Sequence, residues 1–385
     1  MEVLVTHAPG RVNLIGEHTD HQGGLVMPVC INLQITAWAS PREDQKFVVH
    51  SETLNDTDCF DSSTITKSTG WKNYVRGTVR AFCENSGNLN GANIWITSTI
   101  PTGGGLSSSA ALEMAILSTL EAIEGKKLSD EEAIHLCWKT ETNFVGVSCG
   151  IMDQFIIRKG KKNYALRIDC RDLTYEFVKM PTNAEILVID TNFPRQLTFA
   201  PYNQRIQELA IAKQQLQSAG CQIQDLGEIS PEMLAKYASH LTSPYRQRLE
   251  HVVSENERVR RFERNLIQND LENVGKLLFQ SHASLRDYFK ASWERADALV
   301  TLSQSLEGVY GARMVGAGWG GSVMMLIEAS KSQEIKKRLT HWFLGKYGEQ
   351  PLVHILYTTD GVSCRPVSIP AEPARIQDFL TGVRN

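Results

Sequence analysis

Arg11, Glu17, His18, Asp20 and His21 crowd into Ala8-Pro-Gly-Arg-Val-Asn-Leu-Ile-Gly-Glu-His-Thr-Asp-His-Gln-Gly-Gly24, a stretch repeatedly broken by glycine. So many ionic and imidazole donors and acceptors in one short segment suit a small polyhydroxylated ligand. A polar surface loop of the same composition is the plainer alternative. His18, Asp20 and His21 are also metal-ligand types, but no fourth ligand is fixed and the H-E-x-x-H spacing is absent. A second segment, Ser98-Thr-Ile-Pro-Thr-Gly-Gly-Gly-Leu-Ser-Ser-Ser-Ala-Ala111, takes the chain from a strand end through three glycines and three serines into a helix. Gly103, Gly104 and Gly105 allow close backbone approach, and the N–H groups of the helix start attract an anion. Leu106, Ser107, Ser108 and Ser109 complete the loop, and the serine hydroxyls add ligands for phosphate or Mg²⁺. Without the other segments, a glycine turn with a serine helix cap explains the pattern equally well. In a third segment, Gly146-Val-Ser-Cys-Gly-Ile-Met-Asp-Gln154, Asp153 stands among Ile151, Met152, Phe155 and Ile156. A carboxylate there is either structural, with a buried partner such as Arg11, or catalytic.

Two common nucleotide motifs do not apply. No G-x-x-x-x-G-K-[ST] occurs, which disfavours a P-loop. Gly316-Ala-Gly-Trp-Gly-Gly321 satisfies G-x-G-x-x-G, but a strand-like run, Ser322 to Ile327, follows it where a dinucleotide fold needs a helix. A tight loop between strands is expected, and an NAD-dependent oxidoreductase is the disfavoured alternative.

These segments need a scaffold of more than one core. The chain has 385 residues, about 2.6 domains at a nominal 150 each. Hydrophobic residues make up 42% and charged ones 22%, the composition of a globular protein. Forty Lys and Arg against 43 Asp and Glu leave a charge of −3, so no global positive field draws nucleic acid or an anionic membrane. No signal-like start or long apolar span is evident, and a cytoplasmic protein is expected. The eight cysteines are scattered without a C-x-x-C pair, which reads as reduced thiols.

Strands are expected within Leu25 to Trp38 and at Ala92 to Ile100, Asn163 to Asp169, Ala184 to Asp190, Val323 to Ile327 and Leu352 to Tyr357. Helices are expected at Ala110 to Glu124, stopped by Gly125, and from a Ser129/Glu132 capping box through about Thr142. Further helical patterns cover Tyr202 to Gln217, Ser243 to Phe279 and Glu334 to Tyr347, with Ser243-Pro244 as cap and first position of the second. The Arg258 to Arg264 cluster reads as a solvated helix face, because Glu257 flanks it and Glu263 interrupts it. An α+β chain of two halves, 1–180 and 181–385, is the simplest division.

The ordered set of motifs resembles the GHMP kinase superfamily, and within it the galactokinase family. Gly10-Arg-Val-Asn-Leu-Ile-Gly-Glu-His-Thr-Asp20 is similar to the galactokinase signature, Pro101 to Ala111 to the superfamily's phosphate loop, and Cys149-Gly-Ile-Met-Asp-Gln-Phe155 to a further galactokinase run. Arg313 to Ser322 looks like the C-terminal glycine motif, and His251 to Glu255 and Ser281 to Asp287 also look like family segments. The resemblance implies a two-domain GHMP kinase fold with its active site in the cleft between domains. It implies transfer of the ATP γ-phosphoryl group to the anomeric C1 hydroxyl of a galactose-configured sugar. Asp153 would face that hydroxyl as base or electrostatic stabiliser, with Arg11 beside it. Glu17, His18, Asp20, Gly150, Asp153 and Tyr202 would contact sugar, Gly103 to Ser109 would hold ATP phosphates, and Ser109 and Glu141 would reach Mg²⁺. A monomer or weak homodimer is expected, and Asp153→Ala is expected to lose activity while keeping a normal melting curve.

Three departures bear on the substrate. His21-Gln22-Gly23-Gly24 is similar to plant galacturonokinases, Phe193-Pro-Arg-Gln-Leu197 leans the same way, and Ser292 to Asp297 differs from the usual galactokinase run. Against these, the resemblance places Glu17 near C6 of the sugar. A uronate carboxylate there would meet a like charge at a cost of roughly a few kcal/mol in a partly desolvated pocket. Galactose is therefore favoured unless Arg195 reaches C6. A non-catalytic sugar and ATP sensor on the same fold is a further alternative, disfavoured by Arg11, Asp153 and the intact serine run.

Overall fold

The structure, a computed structural model, describes residues 2–87, 89–101, 103–193, 199–368 and 374–382. In the first half the strands are β1 (Glu2–Asn13), β2 (Leu25–Val26), β3 (Pro28–Pro41), β4 (Lys46–Ser51), β5 (Asp56–Asp61), β6 (Ala92–Ser98), β7 (Tyr164–Asp169) and β8 (Tyr175–Lys179). Four helices are interleaved with them: α1 (Lys72–Ser86), α2 (Ser108–Glu124), α3 (Asp130–Lys139) and α4 (Met152–Lys159). The second half begins with β9 (Ala184–Asp190) and the helices α5 (Phe199–Ser218), α6 (Pro231–Tyr237), α7 (Tyr245–Ile267), α8 (Leu271–Ser284) and α9 (Glu294–Ser303). It continues through β10 (Val309–Val315), β11 (Ser322–Glu328), α10 (Ser332–Tyr347), β12 (Val353–Leu356), β13 (Ser363–Ser368) and α11 (Ala374–Leu380).

The largest sheet has the order β13-β1-β3-β6-β4-β5. Its centre is long and apolar, and α2 packs against β1 and β3. Every α2 residue from Ala110 to Glu121 is buried, which marks a helix enclosed on all sides rather than an amphipathic surface helix. On the other face, Ile376 and Leu380 of α11 cover Val3, Val5 and Trp95. The chain thus returns to the first sheet, so residues 363–368 and 374–380, assigned by the division near residue 180 to the second half, pack with the first. A small sheet, β2-β7-β8, adjoins this layer, and β10-β11-β9-β12 forms the sheet of the second half.

Several local expectations are refined. Helix α2 starts at Ser108, two residues before the expected Ala110. The Ser129/Glu132 capping box is present, with Glu132 N–H donating to Ser129 Oγ at 3.2 Å and Ser129 N–H to Glu132 Oε2 at 2.9 Å. The following helix does not run unbroken to Thr142: α3 gives way to a π-helical turn over Thr140–Val145, closed by a left-handed Gly146. The pattern from Ser243 to Phe279 divides into α7 and α8 around Asn269, whose φ is +57°. Ser243 does not cap α7. The Ser243-Pro244 bond is cis, Pro244 occupies the cap position, and the helix begins at Tyr245. The arginine cluster on α7 is only partly solvated, since Arg258 pairs with the buried Glu255.

Gly316 to Gly321 is the expected tight loop, joining antiparallel β10 and β11. Gly316, Gly318, Trp319, Gly320 and Gly321 all have positive φ, a conformation that favours glycine. All eight cysteines are free. Among the described residues, no helix is long and apolar enough to cross a membrane.

Candidate active site

The cluster at Ala8 to Gly24 is not one loop. Ala8 to Asn13 end β1, and the β1/β3 register shifts between Pro9 and Arg11, the kind of irregularity that re-aims a side chain. Arg11 stays paired with Cys30 of β3, and its side chain donates through Nε and Nη2 to the two oxygens of Asp153, at 2.6 and 2.8 Å. Its Nη1 reaches Gly105 O at 2.6 Å, and its backbone N–H donates to Leu106 O at 3.1 Å. Asp153 lies in the first turn of α4 and also accepts from the Ser107 hydroxyl. One arginine therefore joins the carboxylate to the glycine-rich loop.

A cavity of about 240 Å³ opens beside this pair. Arg11, Glu17, His18, Asp20, Asp153 and Tyr202 line it, with Gly150, Glu141, Gly316 and Ala317. The sugar-contact residues proposed from sequence are thus brought together, and Tyr202, Gly316 and Ala317 come from the second half. Gly150 is required here: a Cβ would lie closer than 3.0 Å to Cβ, Cγ and Oδ2 of Asp20. His18 has φ +62° and stacks on Phe289 with ring centroids 4.4 Å apart. Left-handed backbone at a non-glycine residue is strain that a surrounding structure must hold.

Burial governs the electrostatics. It pushes the Asp20 carboxyl up to about 7, with Asp153 and Glu17 adding repulsion. Burial also raises Glu17, against the opposing pull of Arg313 and Arg11. The His18 imidazole is held well below its ordinary value by burial and by His21 and His251. The Nε2 atoms of His18 and His21 are buried and, among the described residues, have no hydrogen-bond partner. Unpaired buried polar atoms of this kind carry a desolvation penalty that a ligand hydroxyl, able to donate or accept, would relieve.

The glycine-rich loop delivers an open helix start. Ser107 occupies the cap position of α2 with φ +62°, but its side chain makes no capping bond; the hydroxyl is committed to Asp153. The serine cap of the plainer reading is therefore absent, and among the described residues no side chain caps the first-turn amides, as an anion site needs. Ser322 Oγ donates to Gly104 O at 2.8 Å, tying the loop to the second half.

Glu141 lies on the π-helical turn and accepts from Ser109 Oγ at 2.9 Å and Gln154 Nε2 at 2.7 Å. Burial and the nearby Asp153 raise its carboxyl to about 7. A hydroxyl and a carboxylate beside an uncapped helix start form a hard-oxygen donor set. It fits Mg²⁺, which takes one or two protein oxygens and completes its shell with phosphate and water. Among the described residues, no group of three or more His, Cys, Asp and Glu side chains is arranged to hold a metal ion, including His18, Asp20 and His21.

Sequence reasoning assigned no role to the residues that fasten this site from behind. Glu255 of α7 accepts from the N–H groups of Gly16 and Glu17, at 3.0 and 3.4 Å. Its own burial opposes ionisation, yet Arg258, His251 and Arg313 hold its carboxyl down at about 2. His251 Nε2 meets Glu17 O at 3.0 Å, and Arg313 pairs with Glu17 Oε2 at 2.7 Å. Their signal was a charged residue at a helix or strand position that otherwise faces the core. Arg195 and most of the Phe193 to Leu197 run lie outside the described residues.

The fold and the anion loop together define a GHMP kinase. Residues 73–161 match the family model for the GHMP kinase N-terminal domain and residues 262–343 that for the C-terminal region. Residues 2–41 match the galactokinase galactose-binding signature. A Roseiflexus sp. (strain RS-1) galactokinase is 41% identical over 360 residues, covering 93% of this chain and 92% of that one. A Thermotoga maritima galactokinase is 36% identical over 356 residues, covering 92% and 98%. The crystal structure of Lactococcus lactis galactokinase complexed with galactose superposes with a TM-score of 0.89 at 34% identity, covering 94% of this chain and 95% of that one. The chain belongs to the galactokinase family.

Proposed function

We infer that the protein transfers the γ-phosphoryl group of ATP to the anomeric C1 hydroxyl of galactose, giving galactose 1-phosphate and ADP. The observation that carries this reading is the placement of Asp153. It lines the sugar-sized cavity while Arg11 and Ser107 bind the same carboxylate to the anion loop. An acceptor hydroxyl and a phosphate can meet at such a junction.

Phosphoryl transfer depends on positioning and charge neutralisation, with no covalent protein intermediate needed. Glu17, His18, Asp20 and Tyr202 orient the sugar so that its C1 hydroxyl faces Asp153. The carboxylate accepts that proton as O1 bonds to the γ-phosphorus and the bond to the β,γ-bridging oxygen breaks. Arg11 fixes both carboxylate oxygens and adds positive charge beside the transferring group. Gly103 to Ser109 hold the ATP phosphates through backbone N–H groups and hydroxyls. Ser109 and Glu141 would hold Mg²⁺, which when bound neutralises phosphate charge as a Lewis acid. The proposal extends to a cytoplasmic protein acting as a monomer or weak homodimer, with its two halves meeting near residue 180.

Galactose is favoured over galacturonate because Glu17 adds a buried carboxylate to the cavity, and a second anion beside it is costly. Steady-state ATP turnover with galactose, galacturonate, N-acetylgalactosamine and arabinose tests the assignment. Galactose should give the highest kcat/KM; a preference for galacturonate, or no turnover with any of the four, would overturn it.

The Asp20 carboxyl, raised to about 7 from an ordinary 3.8, makes a separate prediction. Between those values the folded protein holds a proton that the unfolded chain has lost, so this group's contribution to stability falls as pH rises through that window. Sugar recognition runs the other way if it uses the ionised carboxylate. kcat/KM for galactose should then drop about tenfold per unit below pH 7 and level off above it. Asp20→Asn should lower the plateau and flatten that limb. An acid limb of unchanged midpoint in the variant would assign it to another group.

A further inference from the structure

We propose that Arg313 is a positioning residue for sugar recognition, holding Glu17 and the backbone before it so that one carboxylate oxygen faces the cavity. The proposal rests on reading that cavity as the sugar site. Arg313 lies on β10 in the second half and is fully buried, with 0% exposure. Its Nε donates to Leu14 O at 2.8 Å and its Nη1 to Met314 O at 2.9 Å. Its Nη2 donates to Asn13 O and, at 2.7 Å, to Glu17 Oε2. Asn13 Nδ2 also reaches Glu17 Oε2, at 3.3 Å.

Both side-chain bonds to Glu17 thus fall on one oxygen. Among the described residues no hydrogen bond falls on Oε1, although Glu17 lines the cavity. The guanidinium fork suits this task, since it grips a carboxylate and two neighbouring carbonyls in one plane, which an ammonium does not. Carbonyl partners alone would make Arg313 a strut between the halves. The carboxylate partner, itself a wall of the site, makes it a determinant of how the ligand is met.

The test uses purified full-length Arg313→Lys and Arg313→Met, with galactose Kd measured by calorimetry without nucleotide and KM measured for each substrate. Arg313→Met should raise galactose Kd and KM at least about tenfold, with ATP KM within about twofold, because only the sugar side is disordered. Arg313→Lys should recover part of the loss. If Arg313→Met leaves too costly an unpaired carboxylate to fold, Glu17→Gln/Arg313→Met removes both charges. That double variant should lose clearly less galactose affinity than the sum of the two single losses, since both changes break the same carboxylate contact. Unchanged galactose affinity in a folded Arg313 variant, a parallel rise in ATP KM, or fully additive losses in the double variant would each overturn the proposal. A wild-type protein that neither binds nor phosphorylates galactose would instead overturn the functional reading beneath it.

Discussion

Asp153→Asn should lower kcat by about 10²- to 10⁴-fold, the range typical of a group that handles a proton in the transition state, while the protein still folds. Asparagine keeps the shape and one acceptor oxygen for Arg11 and Ser107 but cannot take the proton of the C1 hydroxyl. Asp153→Ala is a poorer probe than the sequence suggests. The Arg11 side chain is only 8% exposed, and truncating Asp153 leaves its guanidinium, among the described residues, with Gly105 O as its remaining hydrogen-bond partner. An unpaired buried charge of this kind costs about 3 kcal/mol, so the expected normal melting curve of Asp153→Ala gives way to a lowered melting temperature. Rapid-quench measurement of phosphoryl transfer, with thermal melting alongside, separates the effects. An Asp153→Asn enzyme within about threefold of the wild-type kcat would remove Asp153 from the chemistry.

Much of this site was legible because its residues are concentrated where the backbone is unusual. The run Gly103 to Ser109 reads as an anion loop only beside the other segments, and Asp153 stands out as a charge in an apolar helix start. The partnership of Arg11 and Asp153 could be anticipated from charge, though not that Arg11 rides on a strand end. The glycine at position 10 disguised the continuity of β1, whose hydrogen bonds are supplied by β3 and by β13, the latter more than 300 residues away in sequence. Pairing at that distance leaves no local pattern. The same limit hid the roles of Glu255, His251 and Arg313. Each lies on a helix or strand of the second half and reaches a backbone segment of the first, so its purpose exists only after the halves meet.

The break between α7 and α8 and the π-helical turn at Thr140–Val145 show a second limit. Both lie inside sequences of continuous helical character. The turn is held by contacts on both sides: Phe144 packs against the space a Cβ on Gly77 would fill, and Glu141 is drawn to Ser109 and Gln154. Helical periodicity reports which face is apolar and cannot register one extra residue inserted to turn a carboxylate toward a site. The arrangement also explains how a protein of net charge −3 holds an anionic nucleotide. Under the proposed function, uncapped backbone amides and one arginine act locally, where a global field is unnecessary.

Gly150→Ala should reduce kcat/KM for galactose by about a hundredfold, the loss expected when a binding group is displaced by about 1 Å, and leave ATP KM nearly unchanged. The methyl group would enter the space of the Asp20 carboxylate, while among the described residues no hydrogen bond joins Gly103 to Ser109 to either residue. Asp20 has little freedom to yield, because the backbone around it is tied down: the N–H groups of Gln22 and Gly24 both donate to Thr19 O, at 3.0 and 2.9 Å. Thr19 Oγ1 in turn donates to Gly16 O and Leu25 O, at 2.9 and 2.7 Å. The carboxylate must therefore rotate away from the cavity, or the segment before α4 must shift and carry Asp153 with it. Combining Gly150→Ala with Asp20→Ala tells these apart. If the methyl acts only by evicting the carboxylate, the double variant should be no worse than Asp20→Ala alone, because the group it displaces is already gone. If it acts by moving α4, kcat should fall further in the double variant, toward the level of Asp153→Asn. A Gly150→Ala enzyme with wild-type galactose KM and kcat would show that the close approach of residue 150 to Asp20 plays no part in sugar binding.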